Sequence, residues 1–301
     1  MSTHVLKVDA ENHHKRLDAY LAQHLAQAPS RSFVKKLIEA DCVLVNRKTV
    51  KAHYNVHEGD EVHVRIPDEL LPPQDIEAQD IPLDIFYEDD FLLAVNKAAG
   101  MLVHPAQGCY SGTLVNALLF HCDRLSDVNT SFRPGIVHRL DQETSGLLLV
   151  AKDNVTHAHL ARQFQEHQVK KHYTALVAGE VEFDEGVIDA PLGRHVYQRG
   201  KQDVVYTEGA KEAVTFYKVV KRHHGVSLVH LFPRTGRTHQ LRVHMSHEGH
   251  PILGDEKYGR KGSFPRLALH AQGIGFRHPH YGCFLEFLCK MPREFLEKVD
   301  I

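Results

Sequence analysis

Residues 135–152, GIVHRLDQETSGLLLVAK, place an arginine and an aspartate on the connection between two apolar runs. Gly135-Ile136-Val137 and Leu147-Leu148-Leu149-Val150 read as buried strands bounded by turn-forming residues. Arg139 and Asp141 therefore lie on a strand connection, where a carboxylate is either a turn residue bonding a nearby amide or a reagent. If the segment is extended, residues two apart share a side, so both face the same way. The flanking sequence has to decide between a turn and a site.

The chain has 301 residues, 43% hydrophobic and 25% charged, with a net charge of −2, as in ordinary globular proteins. No apolar run approaches the roughly 18 residues that span a bilayer. The start, MSTHVLK, lacks the layout of a signal peptide, so a cytosolic protein is expected. Cys42, Cys109, Cys122, Cys283 and Cys289 are scattered and show no CxxC spacing, which argues against a disulfide framework or a zinc ribbon. Near neutrality means that any binding of nucleic acid must rest on locally concentrated positive charge. There are 25 histidines, with His239, His244, His247 and His250 the densest group. That group lacks HExxH and any completing cysteine or carboxylate pattern, so no metal site is expected.

Residues 14–66 form a first module. Leu17, Tyr20, Leu21 and Leu25 make one helical stripe, and Phe33, Leu37 and Ile38 a second. Arg31, Lys35 and Lys36 lie on or near the solvated side of that second helix. A strand, a turn at Asn46-Arg47-Lys48 and two further strands complete a helix-helix-hairpin unit with a basic helix face and a basic turn. Residues 67–82 read as a linker. Between 67 and 90 the chain carries four prolines, nine acidic residues and no lysine or arginine, a composition that stiffens and extends a chain. Residues 83–301 alternate many strands with a few helices, indicating an α+β fold with a mixed, largely antiparallel sheet flanked by helices.

Three stretches combine strand or helix starts with polar residues that a pure core would not need: RPGIVHRLDQETSGLLLVAK, KKHYTALVAGEV and PRTGRTHQLRVHMSHEGHPILGD. HRLDQETSGLLLVAK closely resembles the signature of the RluA-type pseudouridine synthases. NKAAGMLVHP (96–105), KKHYTALVAGEV and RTGRTHQLRVH resemble that family's other motifs, in the family's order. The 14–66 module resembles an S4 domain, a small RNA-binding fold often joined to these enzymes. One departure is visible: the family commonly has proline after Asn-Lys, whereas here Asn96-Lys97 is followed by Ala98.

The resemblance implies isomerisation of uridine in RNA to its C5-linked form without cofactor or metal. It assigns Asp141 as nucleophile at C1′ or base at C2′, Tyr173 as the active-site tyrosine and Arg242 as the partner of Asp141. It also makes Arg139 the residue that enters the space left by the extruded base. Burying a carboxylate costs roughly 4–7 kcal/mol, and a guanidinium about 4 Å away returns about 4 kcal/mol at an effective dielectric near 20, so a cationic partner decides the charge state. Arg234, Arg237 and the amides at a helix start near Thr238 are expected phosphate contacts, joined by Arg31, Lys35, Lys36, Arg47 and Lys48. The expected substrate is large-subunit ribosomal RNA and the expected state a monomer free of membranes. The rival readings are an inactive RNA-binding assembly factor and a synthase acting on transfer RNA.

Overall fold

Two units divide the chain, Met1–Gln74 and Asp75–Ile301. The computed structural model describes residues 2–25, 31–67, 75–106, 109–128, 133–198 and 200–300.

The first unit runs β1 (Ser2–Lys7), α1 (Leu17–His24), α2 (Arg31–Glu39), β2 (Val43–Val45), β3 (Lys48–Thr49) and β4 (Glu61–Ile66). Its strands form an antiparallel sheet in the order β1-β4-β2-β3. Leu17, Tyr20, Leu21, Phe33, Leu37 and Ile38 are buried against Val43, Val45, Val62 and Val64, so both helical stripes face one core. Asn46 and Arg47 adopt φ of 49° and 65°, the left-handed pair of a two-residue hairpin turn. The Asn46 side chain donates to Asp60 and accepts from the Glu61 amide, holding the exposed Arg47 and Lys48 at the tip. The expected module begins at residue 14 and so lacks β1. That strand leaves Val5 56% exposed and is defined by backbone pairing from Ser2↔Ile66 to Lys7↔Glu61, which no apolar pattern reveals.

The second unit contains β5 (Ile85–Glu88), β6 (Leu92–Lys97), α3 (Leu114–His121), β7 (Ser145–Ala151), α4 (Asn154–Gln165) and β8 (Lys170–Ala178). It continues through β9 (Glu185–Asp189), β10 (Leu192–Arg194), β11 (Gln202–Val204), β12 (Val214–His223), β13 (Val226–Pro233), α5 (Gln240–His247), β14 (Leu269–Arg277), β15 (Phe284–Leu288) and α6 (Arg293–Lys298). A nine-stranded sheet has the order β5-β6-β7-β14-β8-β13-β12-β9, with β15 also on β14. Among the described residues only β7 and β14 pair in parallel, so the sheet is mixed and largely antiparallel. Their close approach needs a glycine: Gly146 sits at φ +116°, and a Cβ there would lie 2.3 Å from the Ala271 carbonyl oxygen.

Two expectations need correction. Gly135–Val137 is no strand, because Ile136 makes only an isolated bridge to Val150, and Gly135 turns the chain at φ +71°. The expected linker, 67–82, lies outside the described residues from 68 to 74, while residues 75–82 belong to the second unit. Ile76 packs beside Leu114 and Leu118. Asn116 Nδ2 donates to the Glu77 carbonyl at 2.8 Å, and the Gln79 amide donates to the Asn116 carbonyl at 2.9 Å. Buried apolar contacts and these bonds outweigh the extension that like charges favour.

Candidate active site

The stretch 138–141 alternates anchors with cleft residues. His138 Nε2 accepts the Leu149 amide of β7 at 2.9 Å, its ring stacks on Phe164, and burial drives its pKa down to about 3. Leu140 is buried in the core that contains Leu114 and Val150. Arg139 and Asp141 point the other way and line a shared cleft of about 140 Å³. His138 and Leu140, each held in the core, thus anchor the chain on either side of Arg139 and just before Asp141.

Asp141 Oδ2 lies 3.4 Å from Arg242 Nη1 and 3.9 Å from His239 Nε2. Arg242, on α5, is itself gripped by Asp255: Nε–Oδ2 is 2.7 Å and Nη2–Oδ1 is 2.8 Å. Tyr258 stacks on it, with Cζ 5.2 Å from the ring centroid. Burial opposes the guanidinium's charge, but Asp255 and then Asp141 outweigh it and raise the Arg242 pKa. Burial likewise works against Asp255, yet Arg242 and the Tyr258 and Lys257 amides hold that carboxyl below its ordinary value. A planar fork bound on two nitrogens cannot rotate freely, so Nη1 stays aimed at Asp141.

The surrounding loops are held with similar economy of freedom. Gln240 Oε1 accepts from Thr235 Oγ1 and the Arg237 amide at 2.7 and 3.0 Å, and its Nε2 donates to Val214 O and Thr215 Oγ1. That one side chain ties the 235–237 turn to β12. The helix begins at Gln240 after a left-handed His239, two residues beyond the expected start, and the Arg237 amide is already donated to Gln240. His239 Nδ1 bonds the Tyr258 hydroxyl at 2.7 Å, and burial lowers its pKa despite the nearby Asp141. On the other side of Asp141, Lys97 Nζ donates to the carbonyls of Ala98, Met101 and Gln142 at 2.7, 2.8 and 3.0 Å. The Gly100 amide and carbonyl also bond Gln142, so the 98–101 loop braces the residue after Asp141.

Tyr173 and Lys171, two residues apart on β8, line the same cleft. Burial, and then the charge of Asp141, push the Tyr173 phenol well above its usual pKa. A larger hollow of about 1240 Å³ adjoins, sharing Arg139, Asp141, His239 and Arg242 and adding Lys257, Arg266 and Lys298.

The structure therefore brings Arg139, Asp141, Tyr173, Arg237 and Arg242 together. Arg234 is exposed at the end of β13 and outside the lining of that cleft. In the first unit Arg31 pairs with Asp18 at 2.9 Å and Lys35 with Glu39 at 3.8 Å, while Lys36, Arg47 and Lys48 are exposed. The histidine group is dispersed: His244 bonds Thr215 and the Ala190 carbonyl, and His250 the Ala178 carbonyl. Asp255, Tyr258, Gln240, Lys97 and Lys171 were not singled out from sequence, and His239 was weighed only as a metal ligand. The aspartate in HPILGD, with Gly254 before it, was the one visible hint.

The RNA pseudouridylate synthase family pattern matches residues 91–247, more than half of the chain, and the S4 domain pattern matches 15–62. The chain belongs to the RNA pseudouridine synthase family. It is 43% identical to the uncharacterized RNA pseudouridine synthase YlyB of Bacillus subtilis (strain 168), covering 96% of this chain and 95% of that one. It is 44% identical to the ribosomal large subunit pseudouridine synthase D of Zymomonas mobilis, covering 93% of this chain and 91% of the relative. Human RNA pseudouridylate synthase domain containing 1 superposes with a TM-score of 0.60 at 29% identity, over 76% of this chain and 89% of that one. A synthase of this family with an S4 domain is an RNA-binding isomerase. No helix among the described residues is long and apolar enough to cross a membrane.

Proposed function

We propose that this synthase converts uridine in large-subunit ribosomal RNA to pseudouridine in the cytosol, with Asp141 as the catalytic carboxylate. The observation that carries the reading is the chain of contacts Asp141–Arg242–Asp255 in a cleft floored by Tyr173. Curated relatives named for the ribosomal large subunit match along most of their length, and this supports the choice of substrate.

In this reading Arg139 occupies the space vacated by the extruded uridine, offsetting the few kcal/mol that extrusion costs. Tyr173 stacks on the uracil, worth roughly 1–3 kcal/mol, and its raised pKa keeps the phenol protonated. Asp141 acts at C1′ or C2′ as the N1–C1′ bond breaks. The ring turns, C5 bonds C1′, the C5 proton leaves and N1 gains one. Both the bonds and the protons balance within the nucleotide and solvent, so the chemistry requires no cofactor. Arg234, Arg237, Arg31, Lys35, Lys36, Arg47 and Lys48 hold RNA phosphates in this reading, and the enzyme works as a monomer.

The test is release of label from large-subunit RNA tritiated at uracil C5, with the product position mapped. Wild type releases label, and Asp141→Asn loses at least 10²–10⁴-fold of the rate. No release from ribosomal RNA with release from transfer RNA moves the target. No release from either returns the protein to a binding role.

A further inference from the structure

Lys171 is half-buried at the wall of the cleft, and its Nζ donates to the Thr235 carbonyl at 2.8 Å. An ammonium has three N–H donors. Among the described residues that is the one hydrogen bond the Lys171 side chain makes, and no carboxylate lies within ion-pair distance of it. Buried charges are ordinarily paired, so this one lacks its counter-ion. The nearest atom to a Cβ built on Gly236 would be Lys171 Nζ, at 3.8 Å. The glycine leaves the approach to the ammonium uncovered.

A second cation lies beside it. Arg237 lines the same cleft, and among the described residues only its Nε is engaged, on the Glu212 carbonyl at 2.9 Å. Burial first, and the Arg237 charge second, pull Lys171 down to a pKa of about 8. Two like charges held in a half-closed wall repel, and an anion between them removes the repulsion. Within the cleft lining Arg139, Lys171, Arg237 and Arg242 face a single carboxylate, Asp141, and that carboxylate is paired with Arg242.

We propose that Lys171 and Arg237 form a phosphodiester subsite that holds the RNA phosphate next to the extruded uridine. The inference rests on the cleft being the uridine site. Lys171 and Tyr173 share one face of β8, so a base stacked on Tyr173 brings its own backbone past the ammonium. The subsite positions the nucleotide and does not touch the reacting atoms.

The test measures binding of a large-subunit ribosomal RNA transcript against salt, which needs no turnover. Each phosphate contact contributes a slope of about −0.9 in log K against log salt on duplex and about −0.7 on single strands. Lys171→Met lowers the slope by about one contact and raises KM about tenfold with kcat within about threefold. Lys171→Arg restores the slope. Lys171→Gln, which offers Thr235 an N–H without the charge, behaves as the Met variant. A synthetic substrate with a neutral methylphosphonate beside the target uridine weakens wild type more than Lys171→Met, which keeps only Arg237 on that phosphate. The proposal is overturned if a folded Lys171→Met keeps the wild-type slope, if Lys171→Gln behaves as wild type, or if the methylphosphonate costs both proteins equally. Absence of RNA binding by the wild type overturns it too. Absence of C5 label release alongside a shifted slope sinks only the catalytic reading.

Discussion

Lys97 is buried and Lys171 half-buried in the second unit, and loss of water around each pulls both ammonium groups down to about 8. Their surroundings differ. Lys97 is 1% exposed and spends its donors on three backbone carbonyls from two loops. Lys171 spends one, on Thr235, and turns the rest toward the cleft. Arg242 stands between the two cases, with Nε and Nη2 bound to Asp255 and Nη1 reaching Asp141. The degree of saturation separates a cation that builds the scaffold from one that awaits a ligand, and Arg242 does some of each.

The largest expected effect comes from removing the support of the intermediate case. Asp255→Asn leaves the Arg242 fork buried beside a neutral amide, a loss of about 3–5 kcal/mol in stability, read as a lower urea midpoint. The pH dependence has a definite sign. The folded pKa of Asp255 lies below its unfolded value, so its stabilisation is complete above about pH 4 and disappears as pH falls through the folded value. The variant lacks that share of the acid limb. An unchanged midpoint would show that Tyr258 and Asp141 hold Arg242 without Asp255.

Next is Lys97→Met. It strips the Ala98 and Met101 carbonyls of their Lys97 donor, at about 1–3 kcal/mol each, partly offset by no longer burying the ammonium, so a loss of about 2–4 kcal/mol is expected. Activity falls as well, because Gln142 next to Asp141 loses a brace, but the salt slope of RNA binding stays as in wild type. A changed slope would place Lys97 with Lys171 and erase the contrast.

The smallest effect is that of Lys171→Met on the free protein: stability within about 1 kcal/mol of wild type at pH 7, since a half-buried charge without a carboxylate partner is removed. Between pH 8 and 10.5 the unfolded chain holds a proton that folded Lys171 has released, so wild type gains stability as pH rises there. Lys97 adds to the same trend, and the difference between wild type and Lys171→Met isolates the Lys171 share. Denaturant midpoints at pH 7.5 and 10 measure it. A Lys171→Met loss as large as that of Lys97→Met would make Lys171 a brace for Thr235.

Much of the cleft was legible before any coordinates. Arg139 and Asp141 stand out because charged residues between apolar runs break a local pattern. Tyr173 and Arg242 follow from ordered motifs that resemble a known family. The stripes of α1 and α2 were equally plain, since a 3.6-residue period is visible within one element. β9, β10 and β11 were not read as strands, because EGVID, LGR and QDV carry neither an apolar run nor apolar–polar alternation.

Lys171 shows where local pattern stops. It lies inside a quoted motif, yet a lysine near the start of a strand reads as a solvated end. The packing of β8 between β13 and β14 and the turn at 235–237 are what bury it. Asp255 is thirteen residues beyond Arg242, and Asp141 is 101 before it. Charge pairs across such separations depend on where the whole chain turns back, and no short window holds that path. Residue order alone was sufficient for the kind of chemistry and for five of the residues that line the cleft. Folding in three dimensions chose which charges are satisfied and which are left open to the cleft, because satisfaction is a matter of distance through space.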